Sequence, residues 1–332
     1  MKDPCAPWKA SGTKSIFPGT PFLASSRSNN WRRKARPSGD PNNSVPNYLQ
    51  VFILALVQGA CELLPVSSSA HVIAAEKLMR LNPSSPEMTM LLVMLHTGTM
   101  FAVIAYFWKG WMRDYFSVPA KLRWFVIQIT VATFCTLIVG LGLKEIIEKV
   151  FLRARPHAQI EDIFSNLPLM AVSLAAVGVL IIYSGGREAK SARHPEVETP
   201  HSIWMGLIQG FCLPFRGFSR SGATISIGLL CRLPKQKLEE FSFALAVVLT
   251  PAVVGREAWR LLKDRAWSAT LSHESTVSLF APGVVGIIFS FIAGWLALKW
   301  LSRWLEGGRW TWFGYYCLVA AAGVFVLYFA TR

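Results

Sequence analysis

Residues 209–225 read QGFCLPFRGFSRSGATI. An apolar run is broken by Pro214 and Gly217, and the break then carries Arg216, Ser219, Arg220, Ser221 and Thr224. Charge at membrane depth is costly and marks function, and irregular backbone there is tolerated only where it lines a cavity or is buried in protein. Gly217 and Gly222 allow close backbone approach, Ser219 and Ser221 offer hydroxyl donors, and Arg220 has the fork geometry that pairs with phosphate oxygens. A helix beginning near Ser221 adds backbone N–H donors and a positive dipole end. The stretch therefore reads as an anion cradle. Arg216 either lines its mouth or snorkels to headgroups.

A second stretch has the same order. LVQGACELLPVSSSAHVI at 56–73, laid without gaps over LIQGFCLPFRGFSRSGATI at 207–225, pairs Leu56 with Leu207, Gln58 with Gln209, Gly59 with Gly210, Cys61 with Cys212 and Ser68 with Ser219. The first copy begins in a helix-permissive run from Tyr48 to Leu64 that spans roughly 25 Å at about 1.5 Å per residue, short of a hydrocarbon core of roughly 30 Å. Pro65 stops it, and Ser67, Ser68 and Ser69 offer caps for a helix running through His71 towards Lys77. Each copy thus predicts two half-helices meeting at a polar break. Paired broken segments at corresponding positions point to a midplane site between structural repeats.

The rest of the chain supplies the surrounding membrane domain. With 52% hydrophobic residues grouped in bilayer-length runs over 332 residues, it is an all-α polytopic membrane protein. Full spans are predicted near 88–108, 122–143, 167–184, 241–254, 277–301 and 312–330. Residues 1–46 contain a basic cluster at Trp31–Arg36 and no apolar run long enough for a signal-peptide core, and are expected to be a disordered extension to a domain at 47–332. The net charge of +15 sits in this tail and in short loops, not in a stripe with interleaved aromatics, so a bilayer with anionic lipids is the expected partner and nucleic acid is not. Loops 109–121 and 185–201 hold a modest basic excess and are expected on the cytoplasmic side. Five of the six cysteines lie in or beside apolar segments without CxxC spacing and read as core residues.

Of the 19 acidic residues, Glu62 is the one found inside an apolar run, where a carboxylate is functional by default. Gln58, four residues earlier, shares its helical face. One carboxylate, an amide and substrate oxygens suit a hard divalent cation that keeps several non-protein ligands, and there is no HExxH or other closed cage. Ser68 and His71 are three apart, which fits either a nucleophile and its base or a helix cap and a carbonyl-bonded histidine. His96 falls in a predicted span, where it either faces the same cavity or, as expected, is a core histidine bonded to a backbone carbonyl. Glu161-Asp162 is expected in a solvated loop.

These residues resemble the undecaprenyl-diphosphatases, also called bacitracin-resistance proteins. That family's first motif is E/Q-x-x-x-E, then a P-V-S-S segment and a histidine, matched here by Gln58, Glu62, Pro65, Ser67, Ser68 and His71. Its second, P-G-x-S-R-S-x-x-T, is matched by Gly217, Ser219, Arg220, Ser221 and Thr224. Gln58 replaces an acid often seen first, and Arg216 stands where the loop usually has proline. The resemblance covers about residues 47–332. It implies interlocked inverted repeats with two re-entrant helical hairpins, in a bacterial inner-membrane enzyme whose site opens to the periplasm.

The implied reaction is hydrolysis of undecaprenyl diphosphate to undecaprenyl phosphate and inorganic phosphate, which recycles the lipid carrier for peptidoglycan synthesis and so supports cell shape. It implies a divalent cation, Mg2+ or Ca2+, and resistance to bacitracin, which acts on the substrate. On this reading Glu62 with Gln58 orients the metal, Arg220 neutralises phosphate oxygens, Ser68 or, as the alternative, a water attacks, and His71 accepts the proton. Ser67, Gly217, Ser219, Ser221 and Thr224 then position the polyprenyl diphosphate. A polyprenyl-phosphate transporter or flippase is the alternative, since the repeats fit it equally, and the sequence leaves a homo-oligomer open.

Overall fold

The structure, a computed structural model, describes residues 46–82, 85–151, 166–187, 194–263 and 276–330. The expected tail and the Glu161-Asp162 loop lie outside these residues. The described residues form ten α-helices, one π-helical turn and no strand. They are α1 (Tyr48–Leu63), α2 (Ser68–Leu78), α3 (Pro86–Trp111, continued by the π turn Met112–Phe116), α4 (Pro119–Phe151) and α5 (Leu167–Gly186), then α6 (Thr199–Cys212), α7 (Arg220–Leu230), α8 (Lys235–Lys263), α9 (Thr276–Glu306) and α10 (Trp310–Ala330). Six of them, α3, α4, α5, α8, α9 and α10, are long and apolar enough to cross a membrane. Large side chains such as Phe134, Leu141, Val172 and Val319 are exposed on their outer faces, as a lipid-facing surface requires.

Local chemistry fixes where helices begin. Asn47 Oδ1 accepts the Gln50 N–H at 2.8 Å while Gln50 Oε1 accepts the Asn47 N–H at 3.0 Å, a capping box at the start of α1. Ser85 caps α3 ahead of Pro86, and Asn166 caps α5. Ser219 caps α7 by accepting the Gly222 N–H at 3.2 Å.

Glycines then set how the helices run. A Cβ on Gly59 would lie 2.6 Å from Ala293 Cβ and 2.7 Å from the Ser290 carbonyl, and one on Gly286 would meet Leu95 and Val51, so α1 and α3 run parallel to α9. In the second half a Cβ on Gly210 would lie 2.7 Å from the Thr136 carbonyl, and Gln128 bonds Thr199 at 3.2 Å, so α6 runs parallel to α4. Gly178 faces Gly314 and Gly185 faces Thr311, making α5 and α10 antiparallel. Lys237 near the start of α8 bonds Asp114 just past α3 at 2.6 Å, making that pair antiparallel too.

These directions give two units of five helices with opposite sense, α1–α5 and α6–α10. Each starts with a short helical hairpin, and each hairpin's first helix packs on a long helix of the other unit: α1 on α9, α6 on α4. The units interlock for that reason. The repeated Gly59 and Gly210 are both points of close approach to those long helices, and in the second unit Gly206 presses still closer against Ala132.

Candidate active site

The two hairpin tips meet. Ser221 Oγ donates to the Leu64 carbonyl at 3.2 Å, and a Cβ on Gly222 would touch Pro65 Cβ at 3.3 Å. At the junction Glu62, near the end of α1, is gripped from several sides. Arg220 Nη2 donates to its Oε1 at 3.0 Å, while Ser68 Oγ at 2.5 Å and Gln58 Nε2 at 3.2 Å donate to its Oε2. The Glu62 and Arg220 side chains keep 17% and 20% exposure, so the pair borders open space instead of being sealed.

That space is a cavity of about 280 Å³ between the tips, α3 and α2, near the lower end of small-molecule sites at roughly 300 Å³. Gln58, Glu62, Ser67, Ser68, Gly217, Ser219, Arg220 and Ser221 all line it. Val72, Ile73, Leu92 and Leu213 add an apolar rim on the side where α3 begins.

Ser67 is the N-cap of α2 and has φ 67°, ψ 99°, a backbone conformation that a non-glycine residue rarely adopts and that clusters at functional sites. Its hydroxyl lies 3.3 Å from that of Ser69, and the Ser219 and Ser221 hydroxyls stand 3.3 Å apart in the second tip. The caps are therefore Ser67 and Ser219, and counted from the matched Gln58 and Gln209 the second cap comes one residue later than the first. The gapless pairing of Ser68 with Ser219 is corrected by one position, so that Ser68 corresponds to Arg220, the first residue of each helix.

Two expected site residues stand elsewhere. His71 does not line the cavity. Its Nδ1 donates to the Ser67 carbonyl at 2.8 Å, and its Nε2 therefore accepts from the Tyr316 hydroxyl of α10 at 2.8 Å, leaving no lone pair for the Ser68 proton. Thr224 is fully buried, bonded to the Arg220 carbonyl at 2.9 Å and to Ser242 Oγ of α8 at 2.6 Å. It ties α7 to α8.

His96 meets both readings. Its Nδ1 does bond a backbone carbonyl, Leu92, at 2.8 Å, as expected, yet its Nε2 lies 3.7 Å from Glu62 Oε2 in the cavity wall. A signal was present in Gly98, two residues on, where α9 presses against α3 beside Gly59. Glu62 is also not the only acid in the packed interior: Glu76, Glu239 and Glu240 are buried at 0%, 4% and 1% exposure, each near a helix end and so outside any apolar run.

Among the described residues no group of three or more His, Cys, Asp or Glu is placed to hold a metal ion. A closed protein cage is not built. One carboxylate beside an amide is instead the donor set that suits a cation whose remaining ligands are phosphate oxygens and water.

The family model described as bacitracin resistance protein BacA matches residues 51–323. The chain is 52% identical over 279 residues to undecaprenyl-diphosphatase 2 of Acinetobacter baylyi, covering 84% of this chain and 97% of that protein. It is 30% identical over 279 residues to the undecaprenyl-diphosphatase of Rhodopirellula baltica, with the same two coverages. It is 29% identical over 286 residues to that of Variovorax paradoxus, covering 84% of this chain and 93% of the relative.

Proposed function

The chain belongs to the bacitracin resistance protein BacA family, and from that premise we propose that it hydrolyses undecaprenyl diphosphate to undecaprenyl phosphate and inorganic phosphate. The observation that carries the reading is one carboxylate, Glu62, held between a serine hydroxyl at 2.5 Å and an arginine at 3.0 Å. A hydroxyl bonded to a carboxylate is an activated nucleophile, and an arginine fork beside it recognises phosphate. A transporter needs the cradle but has no use for the serine–carboxylate pair.

In the proposed reaction the terminal phosphate enters beside the N-termini of α2 and α7, and Arg220 exchanges the Glu62 oxygen for phosphate oxygens. Ser68 Oγ attacks the terminal phosphorus while its proton passes to Glu62 Oε2. The bond from that phosphorus to the bridging oxygen breaks, and undecaprenyl phosphate leaves. Water then cleaves the phosphoserine, releasing inorganic phosphate and restoring Ser68. Ser67, Ser219, Ser221 and the Gly217 backbone orient the headgroup, so that catalysis is mainly positioning and charge stabilisation. A divalent cation arriving with the diphosphate, Mg2+ or Ca2+, would be held by Glu62 with Gln58 and would neutralise phosphate charge.

Among the described residues more basic side chains, including Arg113, Lys121, Arg187, Arg232, Arg303 and Arg309, stand where α3, α5, α7 and α9 end and α4 and α10 begin than at the opposite ends, which carry Lys77, Arg80, Lys144, Lys149, Arg256 and Lys263. By the positive-inside tendency that end is cytoplasmic. The two hairpins are then re-entrant from opposite faces of a bacterial inner membrane, and the cavity faces the periplasm. Recycling the lipid carrier for cell-wall synthesis follows, as does resistance to bacitracin when the protein is overproduced, because the drug sequesters the diphosphate. The test is metal-dependent phosphate release from undecaprenyl diphosphate by purified protein in detergent, wild type against Arg220→Ala. Loss of release in the variant is expected; near-normal release by Arg220→Ala overturns the assignment, and lipid movement across vesicles without any phosphate release favours transport.

A further inference from the structure

Arg216 lines the same cavity as Arg220, at the other end of the second hairpin tip. The Phe218 N–H donates to the Phe215 carbonyl at 3.0 Å, which closes a four-residue turn with Arg216 second and Gly217 third. Gly217 has φ +103°, the left-handed region that a type II turn demands of its third residue, and proline is the common choice at the second. The turn is pinned in place, since a Cβ on Gly217 would lie 2.5 Å from the Met170 carbonyl of α5. An arginine at the second position therefore keeps the backbone a proline would give and adds a guanidinium on a fixed base.

A carboxylate answers it from the facing hairpin. Glu76 of α2 follows Val72 and Ile73 of the cavity wall on one helical face. It is completely buried, and neither of its oxygens has a hydrogen-bond donor. Arg216 is the positive charge acting on it. A buried carboxylate is costly without a countercharge, so Glu76 favours a cation on this side of the cavity. The second tip thus puts two arginines in the lining of one pocket, Arg220 paired with Glu62 at 3.0 Å and Arg216 on the turn.

We propose that Arg216 is a second headgroup-binding residue that takes the lipid-proximal phosphate while Arg220 takes the terminal one, with Glu76 the positioning residue that keeps its guanidinium over the cavity. The proposal rests on the diphosphatase reading and adds to it a means of favouring diphosphate over monophosphate headgroups. Both phosphates of the substrate find a cation, and the cleaved bond lies between the two arginines.

The test compares wild type with Arg216→Gln, Arg216→Pro and Glu76→Gln, assayed with undecaprenyl diphosphate in phospholipid-free detergent and again in anionic phosphatidylglycerol vesicles. Arg216→Pro retains the turn and removes the charge, so a folding defect in the glutamine variant does not blunt the test. Removing one charge-assisted contact is expected to raise KM about ten- to a hundredfold, with kcat less affected, in both media. Inhibition by undecaprenyl phosphate weakens by the same factor, whereas inhibition by inorganic phosphate, which occupies the Arg220 end, does not. Glu76→Gln shifts KM in the same direction and adds nothing to Arg216→Gln. An unchanged KM in phospholipid-free detergent, with a change confined to anionic vesicles, overturns the proposal and assigns Arg216 to bulk headgroups; a fall in kcat at constant KM overturns it as well. Wild-type protein that releases no phosphate at all refutes the diphosphatase reading instead.

Discussion

Ser68 and Arg220 are each the first residue of a helix, one in each hairpin, and they hold opposite oxygens of the Glu62 carboxylate at 2.5 Å and 3.0 Å. The repeats place them at equivalent positions, yet one carries a hydroxyl and the other a guanidinium. In the proposed reaction a symmetric fold divides one task, handling a phosphoanhydride, into a nucleophile half and an anion-holding half. The carboxylate between them keeps the arginine and serine aligned before a substrate arrives.

Glu62→Gln keeps the side chain's size and removes both its charge and its proton-accepting capacity. A fall in kcat of at least about a hundredfold is expected, and Ser68→Ala should fall at least as far. Rapid-quench labelling should find a phosphoserine at residue 68 in wild type and none in either variant. Because the two residues act as a unit, the double variant should be little worse than Ser68→Ala alone.

The two histidines should behave differently. His71 is saturated by Ser67 and Tyr316, so His71→Asn and Tyr316→Phe are each expected to cost about 1–2 kcal/mol of stability while leaving the phosphoserine burst in place. Their effects should be less than additive, as for partners in one contact. His96→Gln should lower kcat/KM, since the imidazole Nε2 stands 3.7 Å from the Glu62 carboxylate in the cavity wall. Loss of the burst in His71→Asn would return that residue to the role expected from its spacing.

Gly59→Ala and Gly210→Ala test the interlocking of the units. Each new methyl group would meet a neighbouring helix's carbonyl at 2.7 Å, and overpacking of this kind costs about 1–3 kcal/mol. Both variants should lower the apparent unfolding midpoint in detergent. A comparable alanine at Gly142, which meets nothing within 4 Å, should not.

Thr224→Val removes a hydroxyl that bonds Ser242 and the Arg220 carbonyl. A loss of about 1–3 kcal/mol is expected, because Ser242 is left buried without that partner. KM for the diphosphate should stay near wild type. A large KM increase with unchanged stability would mean that the hydroxyl reaches the headgroup after all.

Much of this arrangement was legible in residues 48–73 and 209–225. Pro65 and Pro214, with serines after them, mark chain breaks at corresponding places, and the short apolar runs on either side cannot cross a bilayer alone. Glu62, Ser68 and Arg220 could be picked out because charged or nucleophilic groups in apolar runs have few other uses. The spans were read to within a few residues at most ends, although α4 and α8 extend well beyond their apolar centres.

The remainder was not local information. A spacing of three or four says which residues share a helical face, but not how that helix is rotated about its axis. For α2 the rotation is set by α10, whose Tyr316 draws His71 away from Ser68. For α7 it is set by α8, whose Ser242 takes Thr224, and for α3 by α9, which leaves His96 Nε2 beside Glu62. The one-residue offset between the two caps was hidden for the same reason, since only the caps show where each helix starts. The sequence by itself determined the class of fold, the two broken hairpins and the charged groups at stake; the tertiary structure alone decided which of those groups face the cavity, because that depends on the helices packed behind each one.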